Sequence, residues 1–177
     1  MNGGTSRYGL GADRLAERKT SSHNTATVDN EDSSEVWSGF RVARRAYPRD
    51  LHFAGGDETL LISCCHDGYR RLRGHPIHCR QWLLSERELV IEDEIRSSRV
   101  HQGIARFKLH PTIQAVADGP ARWTLALADG RRAQLAIEHG RPGREAGRYA
   151  PEFGCTFDAL TLTSEFIDNG SRVRLSW

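Results

Sequence analysis

The sequence predicts an all-β fold, an antiparallel β-sandwich preceded by a polar, loop-rich N-terminal leader. Three observations predict it. From residue 36 onward the apolar residues recur with a period of two rather than the helical 3.6, as half-buried strands require. Turn-forming Gly, Asp, Asn and Pro interrupt that alternation at short intervals. The length of 177 residues suffices for one sizeable core, because single domains usually run to about 100–200 residues.

Residues 1–35 are the leader and residues 36–177 the sandwich domain. The leader is rich in Gly, Ser, Thr and Asn and has one brief helix-compatible stretch, Ala12–Lys19, with Asp13 early and Arg18-Lys19 late, as the helix dipole favours. Its composition cannot build a core, so it is expected to be disordered or to need a partner surface. Beyond it, Phe40–Arg44, Leu89–Ile95, Ile104–Leu109 and Trp123–Leu127 alternate as strands. Turns are expected at Gly55-Gly56-Asp57, Asp67-Gly68, Ser85-Glu86-Arg87, Asp118-Gly119-Pro120, Asp129-Gly130 and Asn169-Gly170. Two hairpins stand out: Thr124–Ala128 with Arg132–Ile137 across Asp129-Gly130, and Leu160–Ile167 with Ser171–Leu175 across Asp168-Asn169-Gly170. Arg141–Arg148, interrupted by Gly143 and Gly147, reads as an exposed loop. Roughly ten to twelve strands so spaced stack best as two sheets.

Composition narrows the function. Twenty-five basic residues against 23 acidic ones give a net charge of +2, which argues against a dedicated nucleic-acid binder. No stretch approaches the roughly 18 apolar residues of a membrane-spanning helix, and the first residues lack the pattern of a signal peptide. Only Lys19 and Lys108 are lysines, so arginine supplies almost all the positive charge. Genomic base composition explains that bias as well as recognition of carboxylates or sulfates does. Cys64, Cys65, Cys79 and Cys155 form no C-x-x-C pair and read as small buried hydrophobes, which leaves the redox compartment open. The eight histidines are scattered without metal-ligand spacing.

Two clusters hold more polar chemistry than folding requires. One runs from Thr20-Ser21-Ser22-His23-Asn24-Thr25 through Asp29 to Asp32-Ser33-Ser34-Glu35-Val36-Trp37. An imidazole, a carboxamide, hydroxyls and carboxylates beside an emerging strand are the raw material of a metal or sugar site, or equally of a capped, Asx-rich loop. The other is His66-Asp67-Gly68-Tyr69-Arg70-Arg71 with Arg73 and His78 following. Tyr69 flanked by Arg70 and Arg71 could stack on a sugar and pair its carboxylate, with His66 alongside; the plain alternative is a β-turn with a solvated basic edge.

The segments Asn2-Gly3-Gly4-Thr5-Ser6-Arg7-Tyr8-Gly9, Arg18–Thr25, Val28-Asp29 and Asp32–Ala46, supported by His66–Tyr69 and Tyr149–Gly154, resemble the C-terminal β-sandwich region of heparinase II/III-like proteins. That family resembles polysaccharide lyases and is often associated with bacterial exopolysaccharide genes. The resemblance implies a helical toroid upstream, chemistry at the junction, and β-elimination at a uronic acid, in which a base removes the C5 proton, an acid assists departure of the 4-O-linked sugar and the carboxylate is neutralised. It also implies zinc: His23 matches the metal-ligand histidine of the family's His-Asn-Thr motif, and Asn2 falls where several relatives have a zinc-binding aspartate. Asparagine is a poor zinc ligand, so the shell is expected to be incomplete. Relatives are commonly periplasmic.

The leading expectation is therefore the C-terminal portion of a polysaccharide lyase, inactive without a helical toroid supplied by a missing N-terminal domain or a partner chain. The alternative is a non-catalytic sandwich that binds acidic polysaccharide or a partner protein through Tyr69, Arg70, Arg71 and the Arg41/Arg44/Arg45 strand. A small independent enzyme using His23 with Asp29 or Glu35 lacks a visible acid/base set.

Overall fold

The computed structural model describes residues 2–167 and 170–177. In chain order the elements are α1 (Ala12–Glu17), β1 (Ala26–Val28), β2 (Glu35–Val36), β3 (Val42–Ala43), β4 (Pro48–Gly55), β5 (Thr59–His66), β6 (Ile77–Ser85), β7 (Glu88–Arg96), β8 (Gln102–Lys108), β9 (Gln114–Ala117), β10 (Arg122–Ala126), β11 (Arg132–His139), β12 (Arg141–Tyr149), β13 (Phe157–Ile167) and β14 (Ser171–Ser176). A four-stranded sheet in the order β1-β8-β13-β12 faces an eight-stranded sheet in the order β4-β5-β6-β7-β14-β11-β10-β9, and β2-β3 form a separate two-stranded ribbon. Among the described residues, no helix is long and apolar enough to cross a membrane.

The core lies between the small sheet and the β7-to-β10 half of the large one. Ala105 and Phe107 of β8 and Leu162 and Phe166 of β13 meet Trp123, Leu125, Leu135, Ile137 and Val173 from the opposite sheet. Each set comes from alternate positions, as two stacked pleated sheets require. Gly103 lies opposite Phe166 in the register. A Cβ there would meet the ring at 2.2 Å, so the glycine is what lets the phenyl lie flat on β8. The other end of the large sheet extends past this core, and β4 is exposed along its whole length.

The Asp129-Gly130 hairpin forms as expected, with Trp123 opposite Leu135. The second expected hairpin does not. Strand β13 pairs with β8 and β12, whereas β14 pairs with β7 and β11, so their connection passes from one sheet to the other. Both strands aim apolar residues at one core from opposite sides, a pattern that alternation alone cannot separate from a hairpin. Asp168 and Asn169 of that turn lie outside the described residues. Arg141–Arg148 is also not a loop: it belongs to β12, paired with β13 through nine residues. Pro and Gly are tolerated there because β12 is an edge strand. The Phe40–Arg44 strand shortens to Val42–Ala43.

The cysteine reading needs the same kind of correction. Cys65 and Cys79 form a disulfide between β5 and β6, where they are direct register partners. Cys64 points to the opposite face and stays reduced, as does Cys155. The leader, finally, supplies a strand: Ala26 and Val28 of β1 are fully buried, and β1 pairs with β8.

Candidate functional site

His23 follows a short 3-10 turn, Thr20–Ser22, and leads into β1. Its surroundings are built by polar groups of the first sequence cluster. The Thr20 amide donates to Asp32 Oδ1 at 2.6 Å, and the Ser33 amide donates to Thr20 Oγ1 at 2.8 Å. The Ala46 amide donates to Ser34 Oγ at 2.9 Å, which ties the end of the β2–β3 ribbon to the same loop. Behind His23, the Lys108 amide donates to Asn24 Oδ1 at 2.8 Å and Arg80 Nη1 donates to the Asn24 carbonyl at 2.6 Å. His23 is thereby held in a cleft of about 630 Å³ whose walls include Arg14 and Glu17 of α1, Thr25, Val36, Val42 and Arg45. Burial, then the nearby Lys108 charge, lowers the His23 pKa, against a smaller opposing pull from Asp32. The imidazole is thus biased to its neutral, proton-accepting form near neutral pH.

A second cleft of about 550 Å³ lies on the other side of α1, lined by Asp13, Glu17, Lys108, Gly147 and Arg148 among others. Lys108 Nζ donates to the Arg148 carbonyl at 3.4 Å. Burial lowers its pKa despite the opposing Glu145 charge. Gly147 makes room for that ammonium, since a Cβ would sit 2.8 Å from it.

The zinc implied at His23 finds no complete donor set. Asn2 is near, because the Gly3 amide donates to the Ser22 carbonyl at 3.0 Å and so aligns the two segments. Among the described residues, however, no group of three or more His, Cys, Asp or Glu side chains is placed to hold a metal ion. Asn2 supplies a neutral amide where a carboxylate would be needed, so these residues do not fit a zinc shell. Asp29 and Glu35 are engaged elsewhere. Asp29 binds His101 Nδ1 at 2.7 Å and accepts from the Gln102 amide, and Glu35 pairs with Arg44 and Arg71.

The second sequence cluster is mostly internal architecture. Tyr69, read as a stacking ring, is instead core: it has no solvent exposure, and its hydroxyl donates to the Ala26 carbonyl at 2.7 Å. Arg71 is half-buried, held between the Gly68 and Asp32 carbonyls and the Glu31 and Glu35 carboxylates, so it pins the leader loop. Of this cluster's side chains, Arg70 and Arg73 are the exposed ones.

His66 belongs to a largely buried relay that joins it to His78 of the same cluster and to Arg80 and Asp93, which the sequence pattern did not single out. The Gly68 amide donates to His66 Nδ1 at 3.3 Å, which leaves the His66 proton on Nε2 to donate to His78 Nδ1 at 3.0 Å. His78 Nε2 then donates to Asp93 Oδ1 at 2.6 Å. Arg80 closes the chain with a two-point ion pair to Asp93, at 2.8 and 2.9 Å. Burial raises the Asp93 pKa, but the Arg80 charge and the His78 hydrogen bond outweigh it and hold the carboxyl well below its usual range. Burial, reinforced by His78, pushes His66 down to about 4. Through Arg80 the relay fixes the carbonyl beside His23, so its role toward the cleft is positioning. One signal was available: Asp93 occupies an inward position of β7 between Ile91 and Ile95, and a buried charge requires a partner.

Comparison with known proteins agrees with this architecture. The fold is shared with the heparan sulfate lyase HepC from Pedobacter heparinus, with a TM-score of 0.77 and 14% identity over 99% of this chain and 28% of that one. It is shared also with the heparinase III BT4657 gene product, with a TM-score of 0.73 and 15% identity over 98% of this chain and 27% of that one. The chain therefore spans little more than a quarter of the length of these proteins. No curated protein sequence matches it. The family profile described as "Heparinase II/III-like, C-terminal" matches residues 1–170, a span that includes the His23 cleft and every strand of the sandwich but β14, and the chain belongs to that family.

Proposed function

We propose that this chain is the C-terminal, β-sandwich part of a polysaccharide lyase that cleaves uronic-acid-containing polysaccharide by β-elimination, and that it does not catalyse alone. The observation that carries this reading is the family match over residues 1–170, which include those that build the cleft around His23. In the elimination, a base takes the C5 proton. The electrons of that C–H bond form the C4–C5 double bond, and the C4–O bond breaks with protonation of the departing sugar oxygen. Arg45 on the cleft wall would offset the uronate carboxylate, which makes the C5 proton more acidic. His23 would hydrogen-bond substrate as a neutral imidazole. The remaining acid and base are assigned to a helical domain, upstream in the same protein or on a partner chain. By the same family logic the protein works in the periplasm or cell envelope.

The test is co-expression of the chain with the helical region encoded by neighbouring DNA, followed by assay on heparan sulfate, heparin and alginate for ultraviolet absorbance of the unsaturated product. The chain alone should give no product, the pair should give product, and His23→Ala should reduce the rate by about 100-fold or more, the scale of a lost polar contact to the reacting sugar. Product from the isolated chain would overturn the reading, and so would a pair inactive on all three substrates.

A further inference from the structure

We infer that the β2–β3 ribbon carries a binding platform for acidic polysaccharide, built from Trp37, Phe40, Arg41 and Arg45 with Tyr8 of the leader. The inference rests on the lyase reading of the His23 cleft and identifies the surface that would deliver the polymer to it. Between residues 37 and 49 the chain has four arginines and no carboxylate, although the whole protein carries only +2. All four arginines are exposed. Arg44 pairs with Glu35 and Arg49 with Asp67, whereas among the described residues Arg41 and Arg45 make no ion pair.

The aromatic rings are as exposed as the guanidinium groups. Trp37 is 58% exposed, Phe40 65% and Tyr8 66%. The Arg41 guanidinium lies over the Trp37 ring at 5.0 Å. Tyr8 sits between Phe40, at 6.4 Å, and Phe153, at 4.6 Å, so the rings form a row from ribbon to leader. Exposed large apolar side chains in a contiguous group mark an interaction surface.

The ribbon is held firmly. Gly39 packs so closely on the Gly9 carbonyl that a Cβ would approach to 1.9 Å, and Arg18 donates to the Ser38 carbonyl. Arg44 has φ of 40°, a left-handed conformation uncommon for a residue with a long side chain and one that clusters at functional sites. The ribbon also adjoins the His23 cleft, which Val36, Val42 and Arg45 help to line, so Arg45 is shared between platform and cleft. A ligand for such a surface needs flat apolar faces for the rings and repeated carboxylates or sulfates for the guanidinium forks. A polymer of uronic acids or sulfated sugars has both, and its next residue could reach His23 along the same ribbon.

The experiment is titration of the intact chain with a size-defined heparan sulfate oligosaccharide, followed by calorimetry and tryptophan fluorescence at low and moderate salt. Binding should weaken at higher salt. The double variant Trp37→Ala/Arg41→Ala should lose about tenfold or more in affinity, while Arg131→Ala on a distant turn should match the parent. Thermal midpoints of the variants establish that they fold. Equal affinity of parent and double variant would overturn the platform, as would tighter binding of a single-stranded oligonucleotide of equal charge, which would mark a nucleic-acid surface. Complete absence of oligosaccharide binding would overturn it as well. Failure here with elimination intact in the co-expressed pair would remove the platform and leave the lyase reading standing; binding without elimination would do the reverse.

Discussion

Tyr69 shows how much one hydroxyl can connect. Its O–H reaches the Ala26 carbonyl from a fully buried ring, so it ties the turn after β5 to the leader strand. Tyr69→Phe leaves that carbonyl short of a partner and should cost about 1–3 kcal/mol, read as a lower urea midpoint with an unchanged m-value. His66 gives a pH dependence of definite sign. Its folded pKa of about 4 lies below the ordinary histidine value of 6.5, so on acidification the unfolded chain takes up the proton first. Stability is full above the unfolded value and falls as pH drops from there toward the folded one. Between about pH 7 and pH 5 the loss should be about 2 kcal/mol by linkage, and His66→Gln should flatten the slope. His23, lowered in the same direction, adds to it, whereas Asp93 acts only below the ordinary carboxylate range. Sequence made His23 and His66 visible as chemistry-bearing residues. It did not reveal that His66 is enclosed, because burial of a residue on a turn-flanking strand end depends on what the leader lays over it.

Strand pairing explains the features that periodicity missed. Cys65 and Cys79 are 14 residues apart in sequence and become neighbours only when β5 and β6 pair in this register. Reduction, or Cys65→Ser with Cys79→Ser, should destabilise the protein by about 3 kcal/mol, the chain-entropy value for a loop of this size. Cys64→Ser should leave the reductant-sensitive part of the unfolding midpoint unchanged. Strands β8 and β10 were legible because apolar and polar residues alternate along them in sequence, even though in β8 the polar Arg106 and Lys108 are themselves buried. Strand β12 was not, since it sits at an edge with Gly and Pro in it and its alternation is weak. The β13–β14 connection was misread for a different reason: turn residues specify that the chain reverses, not which sheet receives it.

At the scale of the molecule the leader is the decisive segment. Ala26 and Val28 close the edge of the core, Asn24 receives Arg80, and Thr20 and Asp32 shape the cleft of His23. Deleting residues 2–35 should therefore replace cooperative unfolding with a broad transition and strong binding of a hydrophobic dye. A transition as sharp as the parent's would show that residues 36–177 fold as an autonomous unit. The sequence by itself determined the all-β class, the positions of most turns and the motif that relates the chain to heparinase II/III-like proteins, since these depend on local alternation, turn chemistry and residue identity. Only the tertiary structure decided that the leader completes the small sheet, that Tyr69 and Arg71 hold the framework together, and that the exposed arginines and rings gather on the ribbon beside His23. Those outcomes depend on contacts between residues tens of positions apart, and a local pattern contains no record of which distant surface a side chain will meet.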